Sequence, residues 1–390
     1  MRNLGQNVFY IGADDLTTDL FENQYIIPEG ISYNSYLILD EKVAVMDTVD
    51  AVKAEEWKTN LKEALGGRAV DYLVVHHMEP DHSALAAWVM KEWPETKLVA
   101  SAKAVQMLPL YFEDFNVDGR TVVVKEGDTL TLGEHQLTFY SAPMVHWPEV
   151  MVSFDAKDSA LYSADGFGKF GALCKCGFYG RDDRDWSCEA RRYYFNIVGK
   201  YGVQVQNLLK KASSLSIKTI RPLHGPILED NLGEYVGLYN TWSSYAPEVD
   251  GVFIAVASIH GNTMKAAEKM KEILSSKGVR VSLSDLCRSD FAENVEDAFK
   301  YSRMILAASS YDAGVFTPMA NFLHLLKAKG YSRRKVGLIE NGSWAPCAAR
   351  IMKEQLENMK SIEIAEASVT IHGTFKAADT PALERLADSI

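Results

Sequence analysis

From residue 251 onward the sequence alternates strand-like and helix-like runs, and this rhythm limits the possible fold more than any other feature. Strands are predicted in GVFIAVAS, RVSLSDL, RMILAASS, KVGLIENGS and IEIAEASVTI, and helical patterns separate them. A helix between two strands returns the chain to the same edge of the sheet, so the strands run parallel. We therefore predict an α/β fold with a doubly wound parallel sheet over residues 250–390.

The region before residue 250 has a different pattern. The run GISYNSYLILDEKVAVMDTV at residues 30–49 alternates apolar and polar residues around an Asp-Glu-Lys turn, which predicts a β-hairpin. Further short strands are predicted at residues 72–75, 97–100, 121–124, 137–141, 150–153, 160–163 and 218–223, with helices at 85–93 and 190–212. We expect two sheets packed between helices. The segment SSYAPEVDG at 243–251 breaks the pattern, so we predict domains of residues 1–249 and 250–390.

Composition excludes several function classes. A chain of 390 residues is long enough for two domains that each bury a core. The net charge of -11 argues against nucleic acid as a partner, because phosphate binding requires clustered Lys and Arg. The start of the sequence shows no secretory leader, and no run approaches the ~18 apolar residues of a membrane span. Five cysteines, an odd number, favour free thiols. We expect a cytoplasmic protein without a membrane partner.

Histidines and carboxylates concentrate directly after a predicted strand. The run HHMEPDH occupies residues 76–82, immediately after the strand that ends at Val75. His146, Asp165 and His224 each follow the end of another predicted strand, where layered α/β folds collect functional loops. Imidazole and carboxylate are the ligands that borderline and hard divalent metals prefer. A single histidine in such a loop is more often a turn residue, but together these residues predict a metal site.

The order H-x-E-x-D-H, followed by a distant His, an Asp and a last His, resembles the metallo-β-lactamase superfamily. That resemblance implies an N-terminal αβ/βα sandwich. Most hydrolytic members carry H-x-H-x-D-H and bind zinc, whereas Glu79 stands here in place of the second histidine. With a flavodoxin-like second half, the chain resembles the flavodiiron proteins over essentially its whole length. Two alternatives are a zinc-dependent hydrolase of the same fold with a flavodoxin tail, and a flavin electron carrier with a degraded metal site.

The flavodiiron resemblance implies a ligand for each position of a two-iron centre. One iron would be held by His77, Glu79 and His146, the other by Asp81 and His224, and Asp165 would bridge them. The resemblance leaves open whether His82 is a ligand. His76 has no counterpart in the family pattern and is expected to be structural.

Three loops at the carboxyl edge of the second predicted sheet are rich in small polar residues. The loops are Ser258, His260, Gly261, Asn262 and Thr263; Ser309, Ser310, Tyr311, Asp312, Ala313 and Gly314; and Asn341, Gly342, Ser343 and Trp344. Backbone N–H groups at a helix start bind phosphate, although such loops also serve turn geometry. Resemblance to flavodoxins implies that the first loop binds the phosphate of FMN and the other two hold its ring. His260 and the sequence SSYDAG depart from the common flavodoxin pattern.

The resemblance implies an oxidoreductase that reduces dioxygen to water, nitric oxide to nitrous oxide, or both, with FMN passing electrons to the two irons. Tyr25 and Trp147 are candidates for residues that bias the choice of gas. The sequence has no Gly-x-Gly-x-x-Gly after a strand and no C-x-x-C pairs of a rubredoxin, so an external electron donor is expected. That donor would be a rubredoxin, a reduced deazaflavin or a flavin reductase.

The expected domain sizes also predict the oligomeric state. Domains of about 250 and about 140 residues have radii of gyration of roughly 18 and 14 Å, which would set their centres on the order of 40 Å apart. Electrons do not tunnel over that distance at useful rates. We therefore expect a head-to-tail homodimer, or a dimer of such dimers, in which each flavin faces the metals of the other chain.

Overall fold

A computed structural model of the protein describes residues 1–113, 115, 117 and 119–390. The described residues form two compact units, Met1–Asn240 and Thr241–Ile390. The division falls shortly before the boundary predicted at residues 243–251. The domain limits 1–249 and 250–390 remain predictions.

The first unit contains two main sheets and two short β-pairs. Its strands are β1 (Arg2–Gly5), β2 (Val8–Tyr10), β3 (Ala13–Asp15), β4 (Leu20–Phe21), β5 (Tyr25–Ile26), β6 (Ile31–Tyr33), β7 (Tyr36–Leu39), β8 (Val43–Met46), β9 (Tyr72–Val75), β10 (Lys97–Ser101), β11 (Thr121–Val124), β12 (Thr129–Thr131), β13 (Gln136–Ser141), β14 (Met151–Asp155), β15 (Ala160–Tyr162) and β16 (Thr219–Arg221). A seven-stranded sheet has the order β1-β2-β7-β8-β9-β10-β11, and a five-stranded sheet has the order β12-β13-β14-β15-β16. The predicted hairpin is confirmed as the antiparallel pair β7 and β8.

The first unit contains short and medium-length α-helices, and the one at Ala86–Glu92 confirms the helix predicted at 85–93. They are α1 (Ala54–Leu65), α2 (Pro80–Ser83), α3 (Ala86–Glu92), α4 (Ala102–Tyr111), α5 (Leu173–Cys176), α6 (Trp186–Tyr193), α7 (Gly202–Ala212) and α8 (Leu232–Ser243), the last of which contains the division between the units. The prediction of one continuous helix at 190–212 is wrong, because a π-helical turn (Tyr194–Val198) and a 3-10 turn (Gly199–Tyr201) interrupt the α-helical structure. Gly199 and Gly202 weaken the helix there.

One apolar cluster joins the two sheets of the first unit. Val74 and Val99 come from the seven-stranded sheet, and Leu137 and Phe139 from the five-stranded sheet, and all four are buried. Strands β8 to β11 are parallel to one another, as are β15 and β16. Neighbouring parallel strands end on the same side of a sheet, which brings the loops after them together.

The second unit is a parallel sheet with helices. Its strands are β17 (Val249–Ala257), β18 (Arg280–Asp285), β19 (Tyr301–Tyr311), β20 (Gly314–Val315), β21 (Lys335–Asn341) and β22 (Glu363–Ile371), and its helices after α8 are α9 (Asn262–Ser276), α10 (Phe291–Lys300), α11 (Thr317–Ala328), α12 (Ala348–Glu357) and α13 (Thr380–Ser389). The order β18-β17-β19-β21-β22 confirms the predicted doubly wound sheet. Among all described residues, no helix is both long and apolar enough to cross a membrane.

Candidate metal centre and loop cavity

Four strand ends of the first unit bring the seven predicted ligands into two adjoining groups. The segment after β9 carries two of them and runs into α2, whose first residue is Pro80 and which carries two more. The loops after β13, β15 and β16 carry one each. The seven are His77, Glu79, Asp81, His82, His146, Asp165 and His224.

The first group consists of His77, Glu79, His146 and Asp165, with candidate ligand atoms within 4.8 Å of one another. Nε2 of His77 lies 3.1 Å from Oε2 of Glu79 and 3.3 Å from Oδ2 of Asp165. Nε2 of His146 lies 2.9 Å from the same glutamate oxygen and 3.1 Å from the same aspartate oxygen. Two imidazole nitrogens and two carboxylate oxygens therefore converge.

The second group consists of Asp81, His82 and His224, whose candidate ligand atoms also lie within 4.8 Å of one another. Nε2 of His82 lies 3.3 Å from Oδ2 of Asp81 and 3.2 Å from Oδ1 of Asp165. Nε2 of His224 lies 3.2 Å from that Asp81 oxygen and 3.8 Å from Oδ1 of Asp165. Asp165 therefore directs one carboxylate oxygen toward each group.

Many polar atoms of these groups are buried and have no hydrogen-bond partner among the described residues. They are both carboxylate oxygens of Asp81 and of Asp165, both ring nitrogens of His82, and Nε2 of His224. Their close N–O contacts lack hydrogen-bond geometry, so these contacts do not satisfy them. An unsatisfied buried polar atom costs about 1–3 kcal/mol. A pair of divalent metal ions would satisfy these lone pairs, and imidazole and carboxylate suit iron, zinc or manganese.

The histidines and carboxylates of the two groups shift one another's pKa values. Burial lowers the pKa of His146, but its contacts with Asp165 and Glu79 outweigh burial and raise the pKa to about 9. Burial raises the pKa of Asp165, but the charges of His77 and His82 outweigh burial and hold that pKa well below its usual range. A metal ion would have to displace the imidazole protons on binding.

The segment that carries Asp165 has an unusual backbone conformation. Ala164 and Phe167 have φ values of 50° and 67°, in the region that favours glycine. Ser163 Oγ donates to the carbonyl three residues further on at 2.6 Å, and the Phe167 N–H donates to the Tyr239 hydroxyl at 2.6 Å. The rings of Phe167 and Tyr239 also stack, with centroids 4.1 Å apart. These contacts fix the direction of the Asp165 side chain.

Two imidazoles are oriented by acceptors on their outer side. Nδ1 of His77 donates to Oε1 of Glu149 at 2.8 Å, and Nδ1 of His224 donates to the Ser32 carbonyl at 2.8 Å. A carboxylate and a carbonyl can only accept, so both rings carry the proton on Nδ1 and can present Nε2 to a metal. Sequence reasoning missed Glu149, although an acidic residue three positions after His146 was a visible signal.

Aromatic side chains pack against the metal-facing histidines. The Trp147 ring lies edge-on to His77 with centroids 5.2 Å apart, and the Tyr193 ring lies 5.7 Å from that of His224. Tyr193 is fully buried, and its hydroxyl has no hydrogen-bond partner among the described residues. Burial, then the charges of nearby carboxylates including Asp165, raise the pKa of Tyr193 well above its usual value. Tyr193 was also missed, because buried tyrosines are usually part of the core.

Two residues considered from the sequence have their polar atoms engaged elsewhere. Nδ1 of His76 lies 2.6 Å from Oδ2 of Asp47, and Nε2 lies 2.8 Å from Oγ of Ser153, all of them buried. This ring holds strands together, as expected for a structural residue. The Tyr25 hydroxyl donates to the Asn196 carbonyl at 3.1 Å.

A third group with metal-ligand chemistry is explained by ordinary hydrogen bonds. His135, Asp155 and Asp158 have candidate ligand atoms within 4.8 Å of one another. The two nitrogens of His135 lie 2.7 Å from Oδ2 of Asp155 and 2.7 Å from the carbonyl of Gln6. Asp158 pairs with Arg221 at 2.8 Å. Both nitrogens of this histidine are therefore engaged.

The three predicted loops of the second unit line one cavity of about 550 Å³. Its lining is Ser258, Ile259, His260, Asn262, Thr263, Ser309, Ser310, Tyr311, Asp312, Ala313, Asn341, Gly342, Ser343, Trp344, Ala345, Cys347 and Gly373. Gly261 and Gly314 are the predicted residues that do not line it. Sequence reasoning missed Ile259, Ala345, Cys347 and Gly373, which are apolar, small or beyond the polar part of each loop.

One end of the cavity has donors suited to an anion. Helix α9 begins at Asn262, and Gly261 before it has a φ of 82° that exposes the first backbone N–H groups. Oγ of Ser258 is buried without a hydrogen-bond partner among the described residues. The hydroxyls of Thr263 and Ser309 lie 2.9 Å apart. These groups fit a phosphate.

The other end of the cavity carries aromatic side chains. Asp312 and Ala313 have φ values of 48° and 57° and form the two-residue turn between β19 and β20. This turn presents Tyr311, which is 46% exposed, while Trp344 on the next loop is 93% exposed. Exposed flat rings beside a cavity suit stacking on a planar ligand.

Comparisons with known proteins agree with this architecture. A family model described as ODP family beta lactamase matches residues 31–225, half of the chain. The nitric oxide reductase of Moorella thermoacetica is 28% identical over 380 residues, which cover 95% of this chain and 93% of that protein. The anaerobic nitric oxide reductase flavorubredoxin of an Escherichia coli strain is 26% identical, covering 90% and 74%. The solved structure of rubredoxin oxygen:oxidoreductase from Desulfovibrio gigas has a TM-score of 0.92 and 25% identity, covering 100% and 97%.

The topology, the family model and the structural similarity point to one architecture, a metallo-β-lactamase-like domain followed by a flavodoxin-like domain, and they confirm the predicted fold class. The chain belongs to the flavodiiron protein family, as the motif predicted, and it is an oxidoreductase.

Proposed function

We propose that the protein reduces dioxygen to water, nitric oxide to nitrous oxide, or both, with FMN passing electrons to a di-iron centre. The observation that carries this proposal is the placement of Asp165, whose two buried oxygens face two separate groups of histidine and carboxylate ligands. A carboxylate with one oxygen toward each of two ligand groups fits a site for two metal ions. The names of the relatives, two nitric oxide reductases and an oxygen oxidoreductase, support this class of substrate.

The ligand assignment follows the two groups. His77, Glu79 and His146 would hold one iron, Asp81 and His224 the other, and Asp165 would bridge. The sequence left His82 open; its Nε2 lies 3.2 Å from Oδ1 of Asp165, which supports it as a further ligand of the second iron. When bound, the irons would supply the redox change that zinc lacks and a position for each end of a diatomic gas.

The chain's own residues would shape the space beside the metals. Trp147 is half-buried against His77 and restricts access from that side. The buried Tyr193 hydroxyl keeps its proton, because its pKa is raised by burial, and it can donate a hydrogen bond toward the metal ligands. A donor placed where negative charge develops lowers the barrier to reduction.

The cavity of the second unit would hold FMN, whose role is to take electrons from a donor and pass them on. The start of α9, with Ser258 and Thr263, would bind its phosphate, and Tyr311 and Trp344 would flank its ring. We propose residues 1–249 as the di-iron domain and 250–390 as the FMN domain. We also propose an external donor, namely a rubredoxin, a reduced deazaflavin or a flavin reductase, and a homodimer or dimer of dimers as the working unit.

The test has a metal part and a gas part. Protein made with iron available is analysed for metal and flavin, and about two irons and one FMN per chain are expected. The protein is then reduced without oxygen and mixed separately with each gas, and consumption is followed over several turnovers. One tightly bound zinc with hydrolysis of a thioester, and no gas consumption, would contradict the proposal and favour the hydrolase alternative.

A further inference from the structure

Glu149 is a buried carboxylate that the ligand assignment does not use. It follows the loop that carries His146 and precedes β14, and its side chain is fully shielded from solvent. Oε1 accepts hydrogen bonds from Nδ1 of His77 at 2.8 Å and from the Met78 N–H at 2.9 Å. Oε2 is buried and has no hydrogen-bond partner among the described residues. A buried carboxylate with one unsatisfied oxygen lowers the stability of the fold. We therefore expect Glu149 to have a functional role.

The backbone around Glu149 is fixed independently of its side chain. Its carbonyl accepts a hydrogen bond from Oγ of Ser101 at 2.8 Å, and the Met151 N–H donates to the His76 carbonyl at 3.1 Å. The carboxylate therefore joins two segments, residues 76–79 and 146–149, that both carry ligands of the first group. A shift of either segment would break the contact with His77.

Among the described residues, the histidines of the second group have no carboxylate at Nδ1. Nδ1 of His224 donates to the neutral carbonyl of Ser32 at 2.8 Å, and Nδ1 of His82 is buried without a hydrogen-bond partner among the described residues. The two metal positions thus differ in the group that contacts Nδ1 of their histidines. A carboxylate behind an imidazole fixes the ring and raises its basicity as a ligand more than a carbonyl does.

We propose that Glu149 is a positioning residue that makes the metal position of His77, Glu79 and His146 the tighter-binding and more electron-rich of the two. This inference rests on the proposed di-iron function. An electron-rich ligand set stabilises the oxidised ion, so the iron at this position is the harder of the two to reduce. The second position, whose histidines have no carboxylate at Nδ1 among the described residues, takes up electrons first and loses its metal first.

The test uses Glu149→Gln, which keeps the shape of the side chain and removes its charge, in the iron- and flavin-loaded protein. Competition with a ferrous chelator is expected to show two release steps in the wild-type protein. The variant loses affinity in the tighter step by about tenfold to a hundredfold, and the weaker step is unchanged. A reductive titration followed by electron paramagnetic resonance is expected to show a higher reduction potential for the second one-electron step only. Glu95→Gln, at an exposed position of the same unit, leaves both readouts unchanged.

Glu149→Asp keeps the charge but shortens the reach, and it is expected to recover part of the lost affinity and potential. If Glu149→Gln does not accumulate as folded protein, Glu149→Asp tests the contact with His77 by its shorter reach, and a smaller loss is expected at the same step only. Unchanged affinities and potentials in a folded variant, or equal losses at both steps, would overturn the inference while leaving the di-iron function standing. A wild-type protein that binds fewer than two irons would overturn both.

Discussion

Oδ1 of Asp165 lies 3.2 Å from Nε2 of His82, and both residues are buried. This relationship gives His82 the position of a ligand in the second group. We expect His82→Ala to lower the iron content from about two to about one per chain, since it removes one imidazole from a site that already has few ligands. Metal analysis of purified protein measures this. His324→Ala, at an exposed histidine of the second unit, is the control, and equal iron in both variants would contradict a ligand role.

The bridging position of Asp165 predicts a cooperative loss of metal. Asp165→Ala removes a carboxylate that faces both groups, so both irons should be lost together. His224→Ala removes a ligand of one group only and should loosen mainly one iron. Chelator titration of the two variants separates these outcomes. Equal loss of both irons from each variant would count against the assignment of the bridge.

The phosphate-binding end of the cavity can be tested by charge. Replacing both Ser258 and Thr263 with Asp places negative charge against the FMN phosphate, so the purified protein should be colourless. Iron content should stay near normal, because the metal ligands belong to the other unit. The double variant Ser275→Asp with Ser361→Asp adds the same charge at exposed positions outside the cavity and should remain yellow. Retained flavin at full occupancy in the cavity variant would refute the loop assignment.

The Tyr193 hydroxyl predicts opposite effects on stability and turnover. Because this buried hydroxyl has no hydrogen-bond partner among the described residues, Tyr193→Phe should raise the free energy of unfolding by about 1 kcal/mol. Gas turnover should fall by about tenfold or more, with iron and flavin content unchanged, because a hydrogen-bond donor beside the metal ligands is lost. Denaturant unfolding and gas consumption are the two measurements. Tyr239→Phe, which loses the hydrogen bond from Phe167, should instead be destabilised. A less stable but fully active Tyr193→Phe would refute this role.

The buried pair of His135 and Asp155 predicts a pH dependence of stability outside the metal groups. Burial lowers the pKa of His135, but the hydrogen bond and charge of Asp155 outweigh burial and raise it. The pair therefore stabilises fully below the ordinary histidine pKa of about 6.5 and loses this contribution as pH rises through the folded-state pKa. His135→Gln should thus cost more stability at about pH 5.5 than at about pH 8.5. Denaturant unfolding of both proteins at the two pH values measures the difference, and a larger cost at the higher pH would contradict the assignment.

The sequence predicted the candidate ligands because their placement depends on local rules. His77, His146 and Asp165 follow strand ends, where loops collect functional residues, and the resemblance of the motif to a known family implied that they belong to one site. The loops of the second unit could also be predicted from the sequence. Strand–helix alternation makes the strands parallel, so the loops that follow them lie at the same edge of the sheet. A single position of the motif distinguished this chain from the zinc hydrolases, because Glu79 stands where they carry the second histidine of H-x-H-x-D-H.

The remaining features depend on packing between distant parts of the chain. Glu149 lies 72 residues from His77, and its place three residues after His146 does not show which side chain it contacts. Tyr193 has the appearance of a core residue until its neighbours are known. The strands β1 to β5 are two to four residues long, too short to show the alternation that predicts a strand.

The metal ligands of the first unit come from chain segments that begin at His77 and end at His224, with helices and the whole five-stranded sheet between them. Two bound ions would therefore act as cross-links that close long loops, as a disulfide does, but removable by a chelator. An unfolded chain cannot gather these side chains, so metal binding and folding of this unit are thermodynamically linked. Cellular iron supply would then set not only how many molecules are active but also how long each one survives proteolysis.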